Sequence, residues 1–284
     1  MVSSMVISNI LRRKGRTLIT IVAVAVSCAL LVSMLSISEG IMLNAREAIN
    51  VSKVDISISG SIANAHQMME HLESDEERVR IASPTIYSPL VLSMPPNGEV
   101  ISVLTRGLIP EKDEGISTKE DLDKITGGFE IKDDPFFQEG TYSGGANSPL
   151  FSGELIISRH MALDYNLNIG DEVEVIYRNG TAVLTVVGIF TIDVTDDAPF
   201  RLYFAGMHLS ELQYLTAQEN MPISEYDKAD RISLYLTTDL RTNTASVESY
   251  AQDLQKEYQF YTITTKKEQL EGMEKSVAIS KAYY

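Results

Sequence analysis

Residues 17–37 read TLITIVAVAVSCALLVSMLSI, 21 residues with no charge, no proline and no glycine. An apolar run of this length crosses a hydrocarbon core about 30 Å thick as one helix at ~1.5 Å per residue. Immediately before it stands RRKGR, with Arg12, Arg13, Lys14 and Arg16. Basic residues on one flank favour keeping that flank in the cytoplasm. The sequence therefore predicts a basic, amphipathic cytoplasmic segment over 1–16. A transmembrane helix follows over 17–37, continues as a stalk to about residue 50, and leads to one large domain outside the membrane. Ser36-Ile37-Ser38 leaves signal-peptide cleavage open. A signal h-region normally spans about 7–15 residues, however, so an uncleaved anchor is preferred. Ala25, Ala29 and Ser33 recur at i, i+4, i+8, a small-residue face that admits close packing of another membrane helix.

The charge balance fits this division. Residues 1–16 carry four basic and no acidic residues, whereas 17–284 carry 20 basic and 39 acidic, a net −19. So acidic an outer part speaks against nucleic acid, which needs a basic footprint. The single cysteine, Cys28, lies inside the apolar run, so no intrachain disulfide exists and the outer domain must be held by its core. The composition, 44% hydrophobic and 22% charged, suffices for such a core.

Beyond the stalk, Val54, Ile56 and Ile58 alternate with Asp55, Ser57 and Ser59, a half-buried strand. Asn64 to about Arg80 reads as a polar helix. Extended stretches over 85–93 and 99–109 flank the turn Pro95-Pro96-Asn97-Gly98. Residues 110–153 are rich in Gly, Asp and Pro and read as a loop-rich excursion. Order returns at Glu154, with a strand, a short helix capped by Ser158, and a hairpin over 172–189 turning at Asn179-Gly180 as type I′. A strand over 201–205 precedes Ser210-Glu211-Leu212-Gln213, a capping-box pattern. Further on come a strand over 231–237, an amphipathic helix over 243–258 with Val247, Tyr250, Leu254 and Tyr258 on one face, a strand over 259–264, and a helix from 266.

Taken in order, NILRRKGRTLITIVAVAVSCALLVSMLSISEG from Asn9, ELIISRHMALDYNLNIGDEVEV from Glu154, RLYFAGMHLSELQYL from Arg201, DRISLYLTTDL from Asp230 and TITTKKEQLEGME from Thr262 resemble the MacB/FtsX-type permeases of ABC transporters. The match is to their first membrane helix and periplasmic core domain. The resemblance implies an α+β fold: a transmembrane helix with stalk, then an extracytoplasmic core in two parts. Residues 51–110 and 225–265 would form a discontinuous membrane-proximal, mixed α/β part. Residues 111–224 would form an inserted, distal, strand-rich part, and 266–284 would begin a second stalk and membrane helix. It also implies a bacterial or archaeal cell membrane and a separate ATP-binding cassette ATPase subunit. A second permease copy or homologous permease, and contact with membrane lipid, complete the expected set. Such permeases perform efflux or envelope remodelling by mechanotransmission. Three further membrane helices of the family are absent from these 284 residues, so the chain is expected to be a piece of a longer permease or to work with another chain.

No enzyme is expected here, and no cofactor. The sequence has no G-x-x-x-x-G-K-[ST] phosphate loop and no G-x-S-x-G elbow. His66 and Glu70, with His71 and Glu73 nearby, stand at ligand-like spacing, but they lack H-E-x-x-H order and read as solvated helix residues. Asp193, Asp196 and Asp197 read as an acidic turn rather than a calcium loop. No metal is expected. The 13 tyrosines fit either core packing or a partner surface. The competing function is a single-span, membrane-anchored extracellular binding, sensor or adaptor domain.

Overall fold

The computed structural model describes residues 14–51, 53–113, 125–138, 141–142, 144–191, 203–217 and 225–282. In chain order the elements are α1 (Lys14–Val51), β1 (Ile56–Ala63), α2 (Ala65–Glu73), β2 (Val79–Met94) and β3 (Glu99–Leu108). After them come β4 (Ile125–Gly127), β5 (Phe137–Gln138), β6 (Thr141–Tyr142), β7 (Glu154–Ser158), α3 (Arg159–Tyr165), β8 (Glu172–Tyr177) and β9 (Gly180–Phe190). The last are β10 (Phe204–His208), α4 (Leu209–Thr216), β11 (Lys228–Leu236), α5 (Thr238–Arg241), α6 (Thr244–Glu257), β12 (Thr262–Thr265) and α7 (Lys266–Ala282). The chain divides into two units, Lys53–Lys266 and the flanking stretches on either side.

In the flanking unit, α1 carries the whole apolar run as one helix of 38 residues. Its aliphatic side chains face outward: Ile19 is 71%, Leu30 62% and Met34 68% exposed. Ser27 donates to the Ala23 carbonyl and Ser33 to the Ala29 carbonyl, each at 2.8 Å, so these hydroxyls are satisfied within the helix. Among the described residues no helix is long and apolar enough to cross a membrane; the unbroken run of described side chains in α1 is 19–30. The helix expected over 17–37 is present.

The Lys53–Lys266 unit is built on one long strand. The first half of β2 pairs antiparallel with β11, from Leu236↔Val79 to Arg231↔Thr85. β11 pairs with β1, and β1 with the short edge strand β12. The second half of β2 turns to other partners, β3 and β8. From β3 the pairing runs to β10, β7 and β9, and β8 bridges β9 back to β2. Six strands thus close into a barrel, which removes the edges an open sheet would expose.

Each half of β2 serves its own core. On the first, Ile56, Ile58, Ile232 and Leu234 lie under Met68, Met69 and Leu72 of α2 and Tyr250 and Leu254 of α6. On the second, Leu90, Leu92, Leu155, Ile157, Val175, Leu184 and Met207 fill the barrel, with Met161 of α3 and Leu212 and Leu215 of α4 packed in. Leu92, Leu155, Ile157 and Leu184 are wholly buried, and each such side chain is worth about 1.5–3 kcal/mol of transfer free energy.

Several local expectations change. The polar helix after Asn64 ends at Glu73, because the Ser74 N–H closes it onto the Glu70 and His71 carbonyls and the chain re-enters a strand at Val79. The β8–β9 hairpin forms, with Tyr177 opposite Gly180, so Arg178-Asn179 are its central residues. Neither has the positive φ that type I′ requires, and Gly180, one residue later, has φ 143°. Ser210-Glu211-Leu212-Gln213 makes no capping box. β10 runs straight into α4, His208 holds the cap position, and Ser210 and Glu211 lie buried inside the first turn.

Candidate functional site

α2 begins without a cap of its own. Asn64 precedes it in the left-handed region (φ 51°) and its side chain makes no capping hydrogen bond. The missing acceptor comes from the other end of the unit. Asp227, just before β11, takes the His66 N–H on its carboxylate at 3.1 and 3.2 Å, and its carbonyl takes the Ala65 N–H. α4 is capped the same way. Asp134, from the loop-rich excursion, accepts the Ser210 N–H at 3.0 and 3.1 Å and the Ser210 hydroxyl. A carboxylate at a helix N-terminus satisfies open donors and meets the positive end of the dipole.

One imidazole joins these two caps. His66 Nδ1 lies 2.7 Å from Asp227 Oδ1 and Nε2 lies 2.8 Å from Asp134 Oδ2. Its ring stacks on Phe137, with centroids 3.9 Å apart and planes within 16°. All three side chains are buried, His66 to 1% exposure. A neutral imidazole has one N–H and one lone pair, so it cannot donate to two carboxylates. The geometry asks for the imidazolium. Burial pulls the His66 pKa down, but the hydrogen bonds to Asp134 and Asp227 and their charges outweigh it and raise it to about 9.

Ser210, His66 and two aspartates in one network are not a nucleophile site. The Ser210 hydroxyl donates to Asp134 and accepts the Phe136 N–H, while both imidazole nitrogens face carboxylates. No base is free to take the serine proton. Among the described residues no group of three or more His, Cys, Asp or Glu side chains is arranged to hold a metal. A cleft of about 190 Å³ opens beside α4, lined in part by Gln213, Thr216, Tyr226 and Lys228. It is smaller than the roughly 300–1,000 Å³ of ordinary small-molecule sites.

A second histidine cluster holds the rest of the excursion. His208 Nε2 meets Glu154 Oε2 at 3.0 Å, and the Glu154 carboxylate also accepts the Glu130 and Ile131 N–H groups. Burial would raise the Glu154 pKa, but the His208 and Glu130 hydrogen bonds win and lower it. Glu211 accepts the Ser152 and Gly153 N–H groups, and its burial raises its pKa. His208 Nδ1 and Glu211 Oε2 are buried without a hydrogen-bond partner.

The residues singled out in the sequence fare unevenly. His66, expected in solvent, is buried, because it faces the core side of α2 and finds partners 68 and 161 residues away. His71 is exposed and meets Glu257 at 3.2 Å. Glu73 pairs with Lys112 at 2.7 Å. Ala25, Ala29 and Ser33 share one exposed face of α1. Arg12 and Arg13, and Asp193, Asp196 and Asp197, lie outside the described residues; Lys14 and Arg16 open α1 with side chains that are not described. Of the tyrosines, Tyr142, Tyr214 and Tyr226 meet edge-on between α4 and the excursion, a packing role.

The model of the family described as the MacB-like periplasmic core domain matches residues 17–256. Among solved structures, the periplasmic region of MacB from Actinobacillus actinomycetemcomitans is similar at 12% identity and TM-score 0.50, over 79% of this chain and 96% of that one. The extracellular domain of the noncanonic ABC-type transporter YknZ from Gram-positive bacteria matches at 12% identity and TM-score 0.45, over 75% and 99%. At such identity the likeness is one of fold. No curated protein matches the sequence.

Proposed function

Because the chain belongs to the family of the MacB-like periplasmic core domain, and so is a component of a MacB/FtsX-type ABC transporter, we propose that it is the permease subunit, or a piece of one. In this reading α1 sits in the membrane with its basic end in the cytoplasm. The Lys53–Lys266 unit stands outside and converts ATP hydrolysis by a separate subunit into export or envelope remodelling. The observation that carries the reading is the family match over 17–256. Supporting it, α1 presents bare aliphatic side chains with no core over them, and 17–37 holds no charge. In this reading the chain acts as a permease and not as an enzyme; these 284 residues hold no phosphate loop, so ATP hydrolysis would fall to the partner. Ala25, Ala29 and Ser33 would face a further membrane helix.

The test is purification of the full chain from its native membrane in mild detergent. An ATPase of the ABC class and a second permease chain should co-purify. Recovery of the chain from membranes with no such ATPase, under conditions that preserve other transporters, would contradict the reading and favour an anchored sensor or adaptor; recovery from the soluble fraction would contradict both.

A further inference from the structure

The segment 129–138 is not held by regular structure. Within it only Phe137-Gln138 pair as a strand, with Thr141-Tyr142. It nevertheless buries Phe129 and Phe136, at 3% and 0% exposure. Its polar attachments are the Glu130 and Ile131 N–H groups on Glu154, the Glu111 N–H on the Lys132 carbonyl, a Glu111–Asp133 side-chain hydrogen bond, the Phe136 N–H on Ser210, and Asp134 on His66 and Ser210.

We propose that 129–138 is a strap held shut by one proton, the one that lets His66 donate to Asp134 and Asp227 together. The alternative state follows from the asymmetry of the two bonds. Apart from the ring, the Asp227 carboxylate accepts only the His66 main-chain N–H among the described residues, whereas Asp134 accepts both the Ser210 N–H and hydroxyl, so a neutral ring leaves its one proton on Nδ1, toward the less compensated Asp227. Nε2 then turns a lone pair toward Asp134, and a buried carboxylate loses its counter-charge. Asp134 leaves, and with it the cap on Ser210 and the docking of Phe136. The charged and titratable groups around the ring are consistent with this order. Asp134 and Asp227 face it directly. Tyr142 donates to the Ser210 carbonyl, and burial and then both aspartates push its pKa up, so it stays a neutral donor. Tyr226 packs edge-on against Tyr142, and Glu211 of α4 is turned away toward Ser152 and Gly153. The elevated pKa of His66 sets the direction: the strap is shut at neutrality and loosens in base.

Hydrogen exchange of the full chain in lipid nanodiscs, followed by mass spectrometry and corrected for the intrinsic rate at each pH, tests this. The opening constant of 129–138 should rise by up to about tenfold per pH unit from about 6.5 to about 9 and then flatten. The barrel hairpin 172–190 should stay level. In His66→Gln, 129–138 should be open already at pH 7 and show no pH dependence. A strap that tracks 172–190 at every pH, or a His66→Gln profile like the wild type, would overturn the proposal. If His66→Gln does not fold, the wild-type titration alone decides between the same outcomes.

Discussion

Two buried histidines hold the same excursion by different means. His66 lies between two aspartates, with both ring nitrogens engaged, and each aspartate also caps a helix. His208 meets one glutamate, its other nitrogen has no partner, and that glutamate anchors loop N–H groups rather than a helix. The first is a cation bridging two negative caps; the second is an anchored carboxylate leaning on an imidazole. Burial is similar in both, so the number of charged partners sets the behaviour. The His66 cluster should fail in base and the Glu154 cluster in acid.

The largest expected effect comes from breaking the first cluster at its shared carboxylate. Asp134→Ala leaves a buried cation half-paired and strips the cap from α4, and should cost about 3–5 kcal/mol in chemical unfolding of the full chain in detergent. Next is the alkaline limb. The His66 pKa is raised in the folded state, so its contribution is complete below about 6.5 and is lost as pH rises through about 9, a total of about 3 kcal/mol. His66→Gln should flatten this limb in an unfolding series from pH 6 to 10. The opposite sign applies to Glu154, whose pKa is lowered: its contribution is present above its ordinary value of 4.5 and is lost as pH falls through the folded value. Glu154→Gln should cost about 1–3 kcal/mol and remove that acid limb while leaving the alkaline one. Ser210→Ala, which frees a buried Phe136 N–H, should cost about 1–2 kcal/mol. Asn243→Ala, at the cap of α6 away from both clusters, should cost about 1 kcal/mol with no pH dependence and sets the baseline.

Much of the frame was legible in the sequence. Val173, Val175 and Tyr177 alternate as a strand must, and Val247, Tyr250, Leu254 and Tyr258 fall on one side of α6 because helical spacing puts them there. The two caps were not legible. Asp227 and His66 stand 161 residues apart and Asp134 and Ser210 76 apart, so they meet only once β2 has joined β11 on one side and the barrel on the other. Nothing in the sequence warns of this at α2: Asn64 is a favoured N-cap residue type, and only its left-handed conformation in the structure leaves the open N–H groups to an acceptor elsewhere. Ser210-Glu211-Leu212-Gln213 misled for a related reason: β10 enters α4 with no loop, which pushes the serine and glutamate inward. Long-range polar pairing leaves no periodicity to read.

The claim beneath all of this is that His66 is a cation shared by two carboxylates. A two-bond proton–nitrogen correlation spectrum of the histidine-labelled full chain in nanodiscs, with His66→Gln for assignment, reads it directly. At pH 7.5 the account predicts protonated signals for both ring nitrogens of His66. One protonated and one bare nitrogen at that pH would contradict it.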